Sequence, residues 1–131
     1  MKESTIQVEK KRHNPKCWDI YKANIPKRDG DQSSVYFGVR PVLIISNDTG
    51  NSSSPTINVY PFTSKLNKRN LPVHVQMEGF GLNKPSTLSC EQITTLSQDD
   101  LMYKMGSIDN YAVRLKVGKA ARIQNPIFAT I

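Results

Sequence analysis

The chain has 131 residues, of which 37% are hydrophobic, and a net charge of +7 from 18 Lys and Arg against 11 Asp and Glu. This length allows one compact domain, and no apolar run approaches the roughly 18 residues of a membrane-spanning helix, which argues against an integral membrane protein. The first residues lack the apolar segment of a secretion signal, so we expect a cytoplasmic protein. In that compartment Cys17 and Cys90 are expected to be reduced thiols.

The N-terminal part of the chain predicts a basic extension followed by a strand. Residues 1–16 carry charge without apolar periodicity, so we expect a flexible extension there and a folded domain over residues 17–131. Residues 18–25 alternate large apolar with polar side chains, which is typical of a half-buried strand. Residues 27–38 then form a long polar loop, and loops of this length inside compact domains are often functional.

The middle of the chain predicts short strands separated by turns. The apolar run of residues 41–45 indicates a buried central strand. Residues 47–55, rich in Asn, Asp, Gly and Ser, predict a turn, and residues 56–60 alternate like a strand. Further strand-like segments lie at residues 73–77, 86–90 and 93–96, with one helical turn at residues 98–101.

The C-terminal region is the only clear helix prediction. Asp109 is a candidate N-cap, and Tyr111, Ala112, Leu115 and the stem of Lys119 follow at helical spacing, with Gly118 as a weak point. Six or seven short strands and one C-terminal helix predict a mainly β fold. The expected architecture is a small barrel of antiparallel strands.

Familiar catalytic constellations are absent from the sequence. There is no phosphate-binding Walker loop, no nucleophile elbow and no paired-cysteine metal motif, so we expect no metal. His13 falls in the charged extension and is expected to be solvated. His74, between two valines, is more typical of a surface or edge-strand residue than of a catalytic base.

Two polar residues at strand ends are better candidates for chemistry. Arg40 lies where the long loop meets the buried strand, and Thr63 ends a strand just before the polar, basic pair Ser64 and Lys65. If these strands pair, Arg40 and Thr63 form an anion-binding shelf. An ordinary loop arginine is the alternative interpretation. The positive net charge, concentrated in residues 1–30, favours binding of a polyanion or an acidic protein. It is equally compatible with a basic surface that has no partner.

An ordered set of segments resembles the MazF/PemK/Kid family of toxins over about residues 17–115. The segments are WDIY at 18–21, SSVYFGVRP at 33–41, VLIISNDTGNSSSPTINVYPFTSK at 42–65, LPVHV at 71–75, LSCEQITT at 88–95 and KMGSID at 104–109. The resemblance implies an SH3-like barrel with a C-terminal helix that forms homodimers and binds a cognate antitoxin. It also implies an endoribonuclease that cleaves single-stranded mRNA with no metal ion or cofactor.

The resemblance also assigns roles to individual residues. It implies that Arg40 and Thr63 are catalytic and that Ser34 contacts RNA near the scissile phosphate. The expected products carry 2′,3′-cyclic phosphate and 5′-hydroxyl ends. The residues expected to bind RNA are Ser34, Val35, Tyr36, Ser64, Lys65, Lys68 and Gln92.

The loop before Arg40 departs from the family pattern. Several members have Glu where this chain has Val35, so the general base is left open. Val35, Tyr36 and Phe37 either stack RNA bases or pack against the barrel or a second copy. Lys65, Lys68 and Arg69 either contact the RNA backbone or belong to a solvated loop.

Two other functions stay open at this stage. A toxin of the same barrel could poison a topoisomerase by binding it, which needs no Arg and Thr pair. A non-catalytic RNA-binding module is the second, and Val35 is the one feature that favours it.

Overall fold

The computed structural model describes residues 13–27, 36–65 and 71–129. Within these ranges the chain forms strands, two α-helices and two short 3₁₀ turns. The strands are β1 Asp19–Ile25, β2 Gly38–Ile44, β3 Thr56–Thr63, β4 His74–Met77, β5 Ser86–Ser89, β6 Thr94–Ser97 and β7 Leu101–Ser107. The helices are α1 Asp48–Ser53 and α2 Tyr111–Gln124, and the 3₁₀ turns are Gln98–Asp100 and Pro126–Ala129.

The strands form one antiparallel sheet in the order β4-β5-β3-β2-β1-β7, with β6 added beside β3. This confirms the expected mainly β class with a C-terminal helix. Within the described ranges no pairing joins β4 to β7, so the sheet is open there and not a closed barrel.

The central strands are buried on both faces. Leu43 and Tyr60 belong to a core cluster that also contains Val117 of α2, whereas their neighbours Val42 and Val59 belong to a second cluster on the other face. Because strand side chains alternate between faces, a strand covered on both sides must be apolar throughout. That requirement explains the continuous apolar run of β2 and confirms it as a buried central strand.

The turn expected at residues 47–55 is instead the short helix α1. Asn47 caps it by accepting a hydrogen bond from the Gly50 amide at 2.7 Å. Asn51 is buried and bonds both the hydroxyl and the carbonyl oxygen of Ser46, with Nδ2 at 2.9 Å from the latter. Asn and Ser are equally common in turns and at helix caps, so the sequence does not distinguish the two. In the folded protein the segment is helical, with Asn51 buried and bonded to Ser46.

Helix α2 confirms the predicted C-terminal helix but differs in its cap and its buried face. Asn110, not Asp109, caps it by accepting from the Val113 amide at 3.0 Å. The expected stripe faces outward, with Tyr111 75% exposed and Leu115 52% exposed. The buried positions are Val117 and Ala120, with Val113 and Ala121 packed beside them.

Strand β7 has no counterpart among the predicted segments. Met102, Tyr103 and Lys104 are all exposed, so the strand shows no alternation of apolar and polar residues. It lies at one end of the strand order, where only one neighbour, β1, is needed to hold it. An edge strand of this kind carries a weak pattern in its sequence.

The loop between β4 and β5 packs against β7 through a direct contact between the two backbones. Gly81 has φ +91°, and a Cβ built on it would lie 2.0 Å from the carbonyl oxygen of Met105. A Cβ on Gly106 would likewise lie 2.0 Å from the carbonyl oxygen of Phe80. Because Gly81 and Gly106 have no side chain, the backbone of the loop can lie directly against the backbone of β7. This contact fixes the position of the loop residues that follow Gly81.

In the part of the chain that the structure describes, no helix is long and apolar enough to cross a membrane.

Candidate active site

Strands β2 and β3 bring Arg40 and Thr63 together. The strands pair antiparallel with Val42 opposite Pro61, and continuing that register by two residues places Arg40 opposite Thr63. Arg40 Nη1 donates to the carbonyl oxygen of Phe62, next to Thr63, at 3.3 Å. The condition for an anion-binding shelf, that these two strands pair, is thus met.

Both residues line a cleft of about 320 Å³. The other lining residues are Lys22, Val39, Pro41, Phe62, Ser64, Lys65, Asn83, Lys84 and Ser86. The cleft thus has four cationic residues and, among the described residues, no carboxylate in its lining. Positive charge without a compensating acid attracts a polyanion such as a phosphodiester chain.

The Arg40 guanidinium is held by carbonyl oxygens and an aromatic ring. Nε and Nη2 donate to the carbonyl oxygen of Phe37 at 3.3 and 3.0 Å, and the guanidinium carbon lies 4.8 Å from the centre of the Tyr36 ring. Burial lowers the pKa of Arg40 from its ordinary value, and Tyr36 opposes that shift. Arginine stays protonated in proteins, so the side chain remains a cation.

Arg40 also has donors left for a ligand. A guanidinium carries five N–H groups, and the described residues accept from it in three hydrogen bonds. The other two N–H groups have no acceptor among the described residues, and their planar arrangement favours paired contacts with phosphate oxygens.

The Thr63 hydroxyl is oriented by the turn that follows it. Its Oγ1 accepts a hydrogen bond from the Lys65 amide at 3.2 Å, while the Ser64 and Lys65 residues are exposed beside it. The hydroxyl proton has no acceptor among the described residues, so it can be donated to an anion in the cleft.

Tyr36 and Gln92, both expected to bind RNA, are hydrogen-bonded to each other, and the Tyr36 ring also contacts Arg40. The Tyr36 amide donates to Gln92 Oε1 at 3.3 Å, and the Tyr36 hydroxyl oxygen accepts from the buried Ser89 hydroxyl at 3.2 Å. Of the two interpretations of this loop, the contacts of Tyr36 favour packing against the protein. Ser34, Val35 and Lys68 lie outside the described residues.

Three further residues of the cleft were not singled out from the sequence. Lys22 lies on β1 opposite Pro41, next to the pair Ala23 and Arg40. Lys22 is a polar residue of the alternating strand β1, which pairs with the buried strand β2, and this pattern could have identified it from the sequence. Asn83 and Lys84 come from the loop seated by Gly81, and no local pattern predicts that a loop so distant in sequence returns to Arg40.

The two histidines are both less exposed than their patterns indicated. His74 lies on β4, at one end of the strand order, so the edge-strand prediction is confirmed. Its side chain is only 7% exposed, however, and its Nε2 lies 2.8 Å from Glu91 Oε2, so it is not a surface residue. His13 packs edge-on against Tyr21, with ring centres 5.6 Å apart. Neither histidine lines the cleft of Arg40.

A larger cavity, of about 440 Å³, lies beside α2. It is lined mainly by apolar residues such as Trp18, Ile44, Tyr60 and Phe128, and no cationic residue is among its described lining. Its described lining therefore has no positive charge to attract a polyanion, and the smaller cleft is the candidate site. In the described ranges, no group of three or more His, Cys, Asp or Glu side chains is gathered as metal ligands would be.

Comparison with solved structures identifies the fold. The Mycobacterium tuberculosis toxin MazF-mt6 matches with a TM-score of 0.65 at 24% identity, over 81% of this chain and 94% of that chain. An endoribonuclease solved in complex with its cognate antitoxin, from a mycobacterial species, matches with a TM-score of 0.67 at 21% identity, over 86% of this chain and 96% of that chain. The sheet and its C-terminal helix therefore have the fold of the MazF toxins.

Sequence comparison then shows the family. The family of PemK-like, MazF-like toxins of type II toxin-antitoxin systems matches residues 16–121. Endoribonuclease MazF of Staphylococcus saprophyticus is 40% identical over 89 residues, which are 66% of this chain and 72% of that protein. This chain belongs to the PemK-like, MazF-like toxins, as its ordered segments indicated.

Proposed function

We propose that this toxin is an endoribonuclease that cleaves single-stranded mRNA in the cleft of Arg40 and Thr63. The observation that carries the proposal is the cationic cleft lined by both Arg40 and Thr63, in which the described residues accept from three of the five guanidinium N–H groups. Membership of the toxin family and 40% identity to a protein named Endoribonuclease MazF support it.

The chemistry uses a nucleophile that RNA itself supplies. The 2′-hydroxyl loses its proton and attacks the adjacent phosphorus, the P–O5′ bond breaks, and the departing 5′-oxygen takes up a proton. The products are a 2′,3′-cyclic phosphate and a 5′-hydroxyl end. Negative charge grows on the phosphoryl oxygens in the transition state, where preorganised donors have their largest effect. Arg40 and Thr63 supply those donors, and Arg40 does so as a permanent cation.

The remaining cations of the cleft bind the RNA backbone. Lys22, Lys65 and Lys84 lie on three different segments around Arg40, so they contact phosphates on more than one side of the scissile bond. Each lysine removed reduces the slope of log affinity against log salt concentration by about 0.7, the value for single strands. Ser64 and Gln92 belong to the same binding surface in this proposal, and Ser34, Val35 and Lys68 are proposed to bind RNA as well.

The proposal includes protein partners. A cognate antitoxin with an acidic segment would lie over the cationic cleft and block the RNA, since opposite charges favour that contact. One of the matching structures is that of an endoribonuclease in complex with its cognate antitoxin. The toxin is further proposed to be a homodimer and to act in the cytoplasm, where mRNA is found.

The test is cleavage of a long single-stranded RNA by purified protein in EDTA. Wild type is expected to give discrete fragments whose 5′-hydroxyl ends accept a phosphate from a polynucleotide kinase without prior phosphatase treatment. Arg40→Ala is expected to lower kcat by about 100- to 1,000-fold. Arg122→Ala is the matched control, because it removes the same charge from the exposed face of α2, outside the cleft.

Two results would contradict the proposal. Fragments with 5′-phosphate ends would exclude attack by the 2′-hydroxyl. Folded wild-type protein that leaves RNA intact, with growth inhibition that persists in Arg40→Ala, would point to a toxin that acts by binding a protein such as a topoisomerase.

A further inference from the structure

We propose that Tyr36 is a positioning residue for Arg40, an aromatic support that fixes the guanidinium without neutralising it. The inference rests on the proposed function, because the role of Arg40 as the phosphate-binding cation belongs to that proposal. It departs from the expectation that Tyr36 stacks on RNA bases.

Among the described residues, no carboxylate forms an ion pair with Arg40. Among the described residues, its hydrogen-bond acceptors are the backbone carbonyl oxygens of Phe37 and Phe62, and the third contact is the face of the Tyr36 ring at 4.8 Å. A carboxylate could hold a guanidinium just as firmly, but it would cancel the charge that must attract a phosphate and stabilise the transition state. Carbonyl dipoles and a π face orient the cation and leave its full charge for the ligand.

The Tyr36 ring is itself fixed from two directions. Its hydroxyl accepts from Ser89, which is fully buried on β5, and its backbone amide donates to Gln92 beyond the end of that strand. Tyr36 thus connects β5 to the guanidinium on β2. The contacts at both ends restrict the ring, which in turn restricts the long and otherwise mobile arginine side chain.

This arrangement predicts a change in rate and not in RNA binding. A displacement of about 1 Å at a reacting group lowers catalysis by roughly 100-fold. We expect Tyr36→Leu to lower kcat by about 10- to 100-fold with KM changed less than about twofold. Loss of a base-stacking residue would instead raise KM and leave kcat nearly unchanged. The matched control is Tyr111→Leu, the same chemical change on the exposed first residue of α2, which is expected to keep both constants.

A second pair of variants separates the ring from its hydroxyl. Tyr36→Phe keeps the aromatic face and loses the bond to Ser89, so we expect it to restore most of the activity lost in Tyr36→Leu. Ser89→Ala should give the same small loss as Tyr36→Phe. The double variant should be no worse than either single one, because both remove one hydrogen bond.

A measurement without RNA tests the contact directly. In the ¹⁵N spectrum of wild type, the Arg40 Nε–H is expected to exchange slowly with water, because it is bonded to the Phe37 carbonyl. In Tyr36→Leu the exchange should be faster while the backbone amide spectrum and the melting temperature are retained. The failure modes of the two proposals are distinct. Wild type that does not cleave RNA refutes the proposed function, whereas an active Tyr36→Leu variant with unchanged kcat and unchanged Nε–H exchange refutes only the positioning role.

Discussion

The backbone contact at Gly81 gives the sharpest prediction about stability. Alanine at this position places a Cβ 2.0 Å from the carbonyl oxygen of Met105, far inside any real carbon–oxygen contact, so the loop must move away from β7. Gly79, in the same loop, has nearly the same φ, +89° against +91°, but a Cβ there meets nothing within 4 Å. Gly79→Ala therefore measures the conformational term alone.

The two variants are expected to differ in magnitude. The left-handed conformation costs an alanine about 1–2 kcal/mol, and this term is common to both positions. Gly81→Ala adds separation of two packed backbones, so its total loss should reach about 3 kcal/mol or more. In urea unfolding Gly79→Ala should show the smaller shift in midpoint, and Gly81→Ala a shift about twice as large or larger.

The same substitution has a functional readout. The loop that Gly81 seats carries Asn83 and Lys84 into the cleft, so Gly81→Ala should also raise the KM for RNA, whereas Gly79→Ala should not. Equal stability losses in the two variants would refute the steric reasoning. A destabilised Gly81→Ala protein with unchanged KM would show that the loop does not contribute to the RNA site.

Three further predictions concern stability. Gly118→Ala should raise the free energy of unfolding by about 0.5–1 kcal/mol, because the new Cβ meets only the flexible end of Arg122 at 3.2 Å; a lower melting temperature would contradict this. Glu91→Leu leaves the buried His74 Nε2 without its partner and should lower stability by about 1–3 kcal/mol in urea unfolding, while RNA cleavage is retained. Burial raises the pKa of both Cys90 and Tyr60 to about 12, so these groups bind protons more tightly in the folded state than in the unfolded state. The two protonated groups therefore contribute fully to the free energy of unfolding below about pH 9, and this contribution is lost as pH rises toward 12. A urea denaturation series in which wild type loses no stability between these pH values would contradict the raised pKa values.

Local pattern was sufficient for the strands that have a strong one. The alternation of β1 and the continuous apolar run of β2 are consequences of burial on one or two faces, and both are visible along the chain. Recognition of the family, and with it Arg40 and Thr63 as candidate site residues, also came from the sequence. Pattern was not sufficient for β7, because an exposed edge strand needs no alternation, nor for α1, where turn and cap residues are the same.

The sequence by itself determined the fold class, the family and the two segments that bear Arg40 and Thr63, because each depends on the order of residues along one segment. The structure differs from the sequence prediction in placing Arg40 inside β2 and not at its end. Only the tertiary structure decided which face of α2 is buried, that the Tyr36 ring lies against the Arg40 guanidinium, and that Lys22 and Lys84 line the cleft. Each of these depends on register and packing between segments far apart in the chain. The residues of one segment do not by themselves specify which other segment of the chain will pack against them.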